Sequence, residues 1–269
     1  MNIRGLPVHV VEEGEGRPLI LLHGLPGDHR LMQYRLEPIF ANRTGWRRLY
    51  IDMPGMGRTP GADWIHGQTD MRDVVLETID AVVGADQTFA LAGVSYGGFM
   101  AMAVLQQRLP RVSGLFLWTP SLDADPERAR RVEHRLFERD PSVLDELLPE
   151  ERMWLQIAVV QTPATLAVFR ASVKPGLAMA DIPFLTRLEE EDPQRLDPTV
   201  LPDVMAAPAL ILAGRYDTAV GYARAIEIYE SFPRATLAVL DRAGHAVAEE
   251  RSGLFRSLVE DWLDRVEAE

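Results

Sequence analysis

The chain has 269 residues, which is long enough for one large α/β domain or for such a core with an insertion. Its net charge of −12 argues against a nucleic-acid surface, because phosphate binding requires clustered Lys and Arg. The lack of cysteine excludes disulfides and thiolate metal sites, and no run of about 18 apolar residues could span a membrane. We therefore expect a cytoplasmic protein that binds neither nucleic acid nor membrane.

The N-terminal third of the sequence alternates short strands with helices. Apolar runs predict strands at residues 7–12, 19–22 and 48–51, the first of them antiparallel. A helix follows, which ends at Gly84 and whose apolar face consists of Met71, Val74, Val75, Ile79, Val82 and Val83. This alternation predicts an α/β fold with a mostly parallel, twisted sheet and helices on both faces.

A G-x-S-x-G motif occupies residues 93–97, between an apolar strand at 89–92 and an apolar helix. In this strand–turn–helix setting the motif predicts a nucleophile elbow, with Ser95 on a strained turn. Strand and helix approach closely there, so the positions two before and two after the serine require little bulk. Gly93 and Gly97 meet that requirement.

One more strand is predicted at residues 112–118, and then the texture of the sequence changes. From residue 121 to 202 charge rises and prolines divide the chain into short helical pieces, which is typical of a helical cap. Three apolar side chains are candidates for lining a substrate pocket, although packing between cap helices is the simpler interpretation of each: Trp154, Ile157 and Phe184. The acidic run at 189–192 is expected to face water.

The C-terminal part resumes the sheet and supplies two candidate catalytic residues. Apolar runs predict two strands, at residues 208–213 and 236–240, and two helices, at residues 222–231 and 254–266. Asp217 follows the first strand, and His245 lies on the loop after the second. A serine hydroxyl needs a base to take its proton, and the imidazole in turn needs a carboxylate to orient it. His245 is therefore the predicted base and Asp217 the predicted acid.

The order Ser95, Asp217 and His245, each just past the carboxyl end of a predicted strand, resembles the α/β-hydrolase superfamily. Two further stretches carry this resemblance. The His-Gly-Leu-Pro-Gly turn at residues 23–27 looks like the family's oxyanion turn. The Asp-Met-Pro-Gly-Met-Gly-Arg-Thr stretch at residues 52–59 is similar to the D-x-x-G-x-G-x-S/T turn after the family's fourth strand.

The resemblance implies a division of the chain into a core and a cap. It covers residues 1–120 and 203–269, which are the implied hydrolase core. Residues 121–202 are then a helical cap inserted after strand 6, which is where the family commonly carries such an insertion above the nucleophile.

The resemblance also implies site residues beyond the triad. The backbone N–H groups of Leu25 and Tyr96 are the implied oxyanion hole. Some relatives of this fold place the acid after the sixth strand, where this chain has Asp123 and Asp125. These two residues therefore stay alternatives to Asp217.

The sequence as a whole predicts a serine hydrolase that cleaves a small carboxylic ester or lactone through an acyl-enzyme. No step needs a cofactor, and no metal is expected, because H-E-x-x-H or comparable ligand spacing is lacking. The enzymatic alternatives are an aminopeptidase of the proline iminopeptidase type, in which the acidic run at 189–192 captures a substrate ammonium, and a C–C bond hydrolase. A non-catalytic ligand receptor on the same fold is the alternative from another class. The expected partner is a small molecule, and the oligomeric state stays open.

Overall fold

A computed structural model describes residues 1–123, 131–191, 196–197 and 199–269. Its strands are β1 Asn2–Ile3, β2 Leu6–Pro7, β3 Val10–Glu13, β4 Arg17–Leu22, β5 Trp46–Ile51, β6 Phe89–Val94, β7 Val112–Trp118, β8 Glu138–Arg139, β9 Val160–Gln161, β10 Ala209–Gly214 and β11 Ala235–Leu240. Its helices are α1 His29–Phe40, α2 Gln68–Val83, α3 Tyr96–Arg108, α4 Ser142–Glu146, α5 Trp154–Ile157, α6 Pro163–Ser172, α7 Lys174–Leu177, α8 Ile182–Glu191, α9 Ala223–Tyr229, α10 Val247–Glu250 and α11 Ser252–Glu267. Short 3-10 turns lie at Leu109–Arg111 and Pro149–Glu151.

Seven strands form the central sheet, in the order β11-β10-β7-β6-β4-β5-β3. Neighbouring strands are parallel except at one edge, where β3 runs antiparallel to β5. Parallel strands bring their carboxyl ends to one side of the sheet, which is where ligands bind in open α/β folds. Ser95 follows β6, and Asp217 and His245 lie on the loops after β10 and β11, so all three reach this side.

Helices cover both faces of the sheet because its strands are apolar on both sides. In β4, Ile20 and Leu22 pack into the layer of α2, α3 and α9, whereas Leu19 and Leu21 pack into the layer of α1 and α11. This is the two-residue period of a strand. Each of the four side chains is at most 1% exposed, and burial of such a side chain contributes roughly 1.5–3 kcal/mol.

The predicted fold class is confirmed: the sheet is mostly parallel and helices lie on both faces. Two details differ from expectation. The strand expected at residues 7–12 is divided into β2 and β3, since the His9 N–H donates to Thr59 Oγ1 at 2.9 Å rather than to a neighbouring strand. Helix α1 was not predicted. Pro38 lies inside it, although proline normally marks the end of a helix.

The described residues between β7 and β10 form the short helices α4 to α8 and a parallel pair of two-residue strands, β8 and β9. The helical character agrees with the expectation, whereas the strand pair was not predicted. A separate apolar cluster centred on Trp154 and Phe169 packs α4, α5 and α6 of this segment together. Arg35 of α1 donates to Ser172 Oγ at 2.9 Å and so ties the segment to the core. The boundaries 121–202 of a cap stay a prediction.

The longest helices of the described chain, α2 and α11, have 16 residues each. Each buries one face against the sheet and leaves the other in water. Among the described residues, no helix has both the length and the apolar character that crossing a bilayer demands.

We expect Gly93→Ala to destabilise the fold, because the added Cβ would lie 2.2 Å from the carbonyl oxygen of Gly97. Overpacking of this kind typically costs about 1–3 kcal/mol, and backbone atoms have little room to relax. Gly253→Ala is the matched control, since Gly253 lies in α11 with open space around the added methyl, and alanine there gains up to about 1 kcal/mol. Urea unfolding measures both changes. If Gly93→Ala were as stable as the wild type, that result would contradict the close approach of strand and helix.

Candidate active site

Ser95 lies on a sharp turn between β6 and α3. Its backbone dihedrals are φ 53° and ψ −120°, a conformation that strains any residue other than glycine. A Cβ on Gly93 would lie 2.2 Å from Gly97 O, and a Cβ on Gly97 would lie 2.0 Å from Leu22 O. Both glycines are thus required by close backbone contacts, as the motif predicted, and Ser95 is half-buried at the carboxyl side of the sheet.

Asp217 and His245 are hydrogen-bonded to each other at the same side of the sheet, with 2.8 Å between Asp217 Oδ2 and His245 Nδ1. Asp217 is fully buried, and its other oxygen accepts the backbone N–H groups of Ala219 and Val220 at 2.8 and 3.0 Å. With both oxygens engaged, the carboxylate has a fixed orientation and selects the His245 tautomer that carries its proton on Nδ1. Nε2 is then the nitrogen able to accept a proton.

The surroundings of His245 favour its charged form. Burial lowers the pKa of His245, but the charge of Asp217 and the hydrogen bond to it outweigh burial, so this pKa lies above its ordinary value. The hydrogen bond of His245 goes to Asp217, and His245 and the Ser95 hydroxyl are not hydrogen-bonded to each other in the described structure. Contacts between nucleophile and base often tighten only when substrate is bound.

Asp123, the first alternative acid, has a different partner. Its Oδ2 lies 3.5 Å from Arg224 Nε, and its side chain lines the cavity described below. Asp125, the second alternative, lies outside the described residues. Of the two acids that the structure describes, Asp217 is the one hydrogen-bonded to His245.

His23 fixes the turn that precedes α1. Its Nε2 accepts the N–H of Met53 at 3.1 Å, and its Nδ1 donates to Gly24 O at 2.9 Å. This pair of bonds requires a neutral imidazole, and burial lowers the pKa of His23 accordingly. A Cβ on Gly24 would lie 3.2 Å from Ser95 Cβ, so the turn passes directly beside the elbow.

The two predicted oxyanion donors, Leu25 and Tyr96, both line the cavity next to the elbow. Leu25 follows Gly24 in the turn beside Ser95. Tyr96 is the first residue of α3, so its backbone N–H lies at the positive end of the helix dipole. The phenol hydroxyl of Tyr96 donates to Gln68 Oε1 at 2.6 Å, which fixes the ring against the cavity wall.

The cavity has a volume of about 530 Å³, in the range of small-molecule sites. Its apolar wall comes mainly from α3, α8 and the loop after β7, and includes Phe99, Leu122, Ile182, Leu185 and Leu188. Charged side chains also reach it, namely Asp123, Glu189, Asp197 and Arg224. The cavity is therefore apolar along its length but not free of charge.

The three predicted pocket residues lie elsewhere. Trp154 packs in the apolar cluster of its own segment. Phe184 lies with its ring against Gly55 and Gly61, where a Cβ would come within 2.2 and 2.6 Å of the ring. Ile157 is half-buried, with its carbonyl oxygen facing Gly244. Packing, the simpler interpretation, describes these placements, and none of the three is among the residues that line the cavity.

The acidic run departs in part from expectation. Glu190 and Glu191 are exposed, and Glu191 pairs with Arg187, as a solvated face predicts. Glu189 is exposed as well, but it lines the cavity, because it lies about two helical turns along α8 from the lining residue Ile182 and so on the same face. Asp192 lies outside the described residues.

The fold also brings together His9, His29 and Asp52, whose potential metal-ligating atoms lie within 4.8 Å of one another. No sequence pattern indicates this cluster, because its members are far apart along the chain. The Asp52 carboxylate accepts the N–H and Nδ1–H of His29 at 2.8 and 2.9 Å, and the N–H of Arg58 at 3.0 Å. Asp52 thus holds the D-x-x-G-x-G turn to the start of α1.

Sequence reasoning missed Glu250 entirely. This residue lies five positions after His245 on α10, and its carboxylate accepts the N–H of Gly244 at 2.6 Å. No local pattern identifies such a residue, since Glu249 beside it has the same side chain and an unrelated partner, Arg35.

Comparison with known proteins agrees with this fold. The profile of the alpha/beta hydrolase family matches residues 19–257. The chain belongs to this family, and the resemblance drawn from its motifs is confirmed. Family membership supports hydrolase activity.

Three relatives are similar at low identity. Pimeloyl-[acyl-carrier protein] methyl ester esterase of Legionella pneumophila is 30% identical over 115 residues, which span 42% of this chain and 42% of that protein. A probable proline iminopeptidase of Leptolyngbya boryana is 25% identical, with 94% of this chain and 88% of the relative covered. A 2-hydroxy-6-oxononadienedioate/2-hydroxy-6-oxononatrienedioate hydrolase of Paraburkholderia phymatum is 27% identical, with 96% and 91% covered.

A solved structure confirms the fold. The alpha/beta superfamily hydrolase from Oenococcus oeni superposes with a TM-score of 0.85 at 23% identity, covering 97% of this chain and 96% of that one. At this identity the likeness concerns the fold alone.

We expect Asp217→Asn to lower the pKa of His245, because the carboxylate charge that raises it is lost while burial remains. An NMR titration of the imidazole C–H resonances measures the shift. Asp123→Asn is the control and is expected to leave this titration unchanged, since Asp123 pairs with Arg224. The reverse outcome, a shift in Asp123→Asn alone, would make Asp123 the acid.

Proposed function

We propose that the chain is a serine hydrolase that cleaves a small carboxylic ester or lactone through an acyl-enzyme on Ser95. The observation that carries this proposal is the Asp217–His245 hydrogen bond of 2.8 Å at the side of the sheet where the strained elbow presents Ser95. A serine hydroxyl is a weak nucleophile on its own, and this arrangement supplies a base of fixed tautomer.

The proposed reaction has two halves. In the first, His245 Nε2 takes the Ser95 proton while Oγ attacks the carbonyl carbon, and the imidazolium returns that proton to the departing alkoxide as the C–O bond breaks. In the second, His245 takes a proton from water, the hydroxide attacks the acyl carbon, and the acid leaves as Ser95 regains its proton. Asp217 stabilises the imidazolium in both halves.

The backbone N–H groups of Leu25 and Tyr96 are the proposed oxyanion hole. Support comes from the two sides of the elbow: Gly24 lies against the Ser95 side chain, and Tyr96 begins α3. Donors arranged in this way before the reaction stabilise the tetrahedral intermediate without reorganisation, and each is typically worth about 2.7–4 kcal/mol.

The cavity supports a small, mainly apolar acyl or alcohol group as the substrate's bound part, because α3 and α8 line it with apolar side chains. The esterase activity named for the Legionella relative belongs to the same reaction class. The proposal includes a small-molecule partner, no cofactor and, on the cysteine-free composition, a cytoplasmic location.

An aminopeptidase of the proline iminopeptidase type is the second candidate, and Glu189 is the observation that favours it. This carboxylate lines the cavity, where it could pair with a substrate ammonium, and one relative is a probable proline iminopeptidase. However, Glu189 is exposed, and an exposed ion pair contributes only about 0–1 kcal/mol. Such a pair selects a substrate weakly, so we favour the esterase.

We expect a fluorophosphonate probe to label the wild-type enzyme and not Ser95→Ala, because only a base-activated serine beside oxyanion donors reacts readily. Ser121→Ala is the matched control, since Ser121 also lines the cavity and is expected to leave labelling intact. Mass spectrometry of the labelled peptide gives the modified residue. A label on Ser95→Ala would contradict the mechanism.

We expect short-chain p-nitrophenyl esters to be turned over much faster than prolyl or alanyl anilides, and Glu189→Gln to change ester kcat/KM by less than about twofold. Glu190→Gln removes the same charge one residue further along α8, outside the cavity lining, and serves as control. A raised KM for an anilide in Glu189→Gln, absent in Glu190→Gln, would establish the aminopeptidase instead.

A further inference from the structure

Glu250 joins the loop of His245 to the backbone of a neighbouring segment. Its Oε2 accepts the N–H of Gly244, the residue directly before His245, at 2.6 Å. Its Oε1 accepts the N–H of Val159 at 2.7 Å and that of Val160 at 3.4 Å. One carboxylate therefore fixes the distance between the histidine loop and the strand that starts at residue 160.

The charged neighbours of Glu250 are engaged elsewhere. Arg35 pairs with Glu249 and not with Glu250, which among the described residues has no basic partner. On the facing segment, His134 is bound to a backbone carbonyl, with 3.0 Å between its Nε2 and the oxygen. Glu249 and His245 are the described titratable groups whose charges interact with that of Glu250. Glu250 is half-buried, and a carboxylate that is partly removed from water without a cation is stabilised by backbone N–H groups.

We propose that Glu250 is a positioning residue: its carboxylate clamps the peptide before His245 to the neighbouring segment and so holds the imidazole in line with Ser95. Gly244 is also confined at its carbonyl group, since a Cβ on Gly214 would lie 2.1 Å from Gly244 O. A displacement of a catalytic group by about 1 Å can cost on the order of 100-fold in rate. The proposal rests on the serine hydrolase function proposed above.

The clamp needs the ionised carboxylate, because both oxygens accept an N–H and protonation turns one of them into a donor. Burial raises the pKa of Glu250 to about 7, although the hydrogen bonds from Gly244 and Val159 lower it. Activity then requires two deprotonations, of Glu250 and of His245. Below both pKa values, log kcat/KM is expected to rise with a slope of about 2 per pH unit.

The test is the pH profile of p-nitrophenyl butyrate hydrolysis from pH 5 to 9 by the full-length wild type and Glu250→Gln. Glutamine has the same shape but offers one acceptor oxygen, so at pH 8 we expect kcat to fall about 10- to 100-fold with KM changed by less than about twofold. The acid slope should fall from about 2 to about 1. Glu260→Gln, which removes a half-exposed charge on α11, controls for net charge and is expected to keep the wild-type profile.

Each result decides between the alternatives. If Glu250→Gln keeps the kcat and the acid slope of the wild type, the positioning proposal is overturned and the hydrolase function is not. If Glu250→Gln fails to fold, an acid slope of 1 measured for the wild type overturns the proposal in the same way. If the wild type neither hydrolyses the ester nor reacts with fluorophosphonate, the proposed function fails instead. In that case the low-field NMR signal of the His245 Nδ1 proton decides: a signal unchanged in Glu250→Gln overturns positioning, and a shifted or broadened one supports it.

Discussion

The close contact of α3 with the sheet is the constraint on which the rest of the site depends. A methyl group at Gly97 would lie 2.0 Å from Leu22 O, so the helix begins almost on top of the neighbouring strand. To enter a helix at that point, the chain must turn at Ser95 with positive φ, at a cost of order 1–3 kcal/mol. The same turn presents the Ser95 side chain and places the Tyr96 N–H at a helix N-terminus, so one backbone arrangement provides both.

The adjacent residues Glu249 and Glu250 show two ways of stabilising a carboxylate. Glu249 pairs with Arg35, while the partners of Glu250 among the described residues are backbone N–H groups. Because the pKa of Glu250 is raised from 4.5 to about 7, folding favours its protonated form. Its contribution to stability is complete below about pH 4.5 and is lost as the pH rises through 7. The folded protein is thus less stable with Glu250 ionised, which is the form that the proposed clamp requires. Functional residues commonly lower stability in this way.

The features that the sequence predicted correctly are local or periodic. The elbow at Ser95 follows from glycine requirements within five residues, and the parallel sheet follows from apolar runs that alternate with amphipathic helices. The Asp217–His245 contact was predictable because parallel strands deliver their carboxyl ends to one side of the sheet. Helix α1 was not predicted. Proline normally ends a helix, but packing of the apolar side chains of α1 in the core stabilises the helix despite Pro38.

The lining of the cavity, by contrast, depends on which face each element packs against its neighbours. A single sequence does not predict those faces. Phe184 and Glu189 lie on the same helix, yet the aromatic ring packs against Gly55 and Gly61 while the carboxylate lines the cavity. Hydrophobicity alone predicts the reverse, with Phe184 in the cavity and Glu189 in water. Helix α8 packs one face on the core and borders the cavity with another. A pattern of apolar residues identifies the face that packs on the core but not the face that borders the cavity. The cavity lining therefore includes residues whose types carry no signal by themselves.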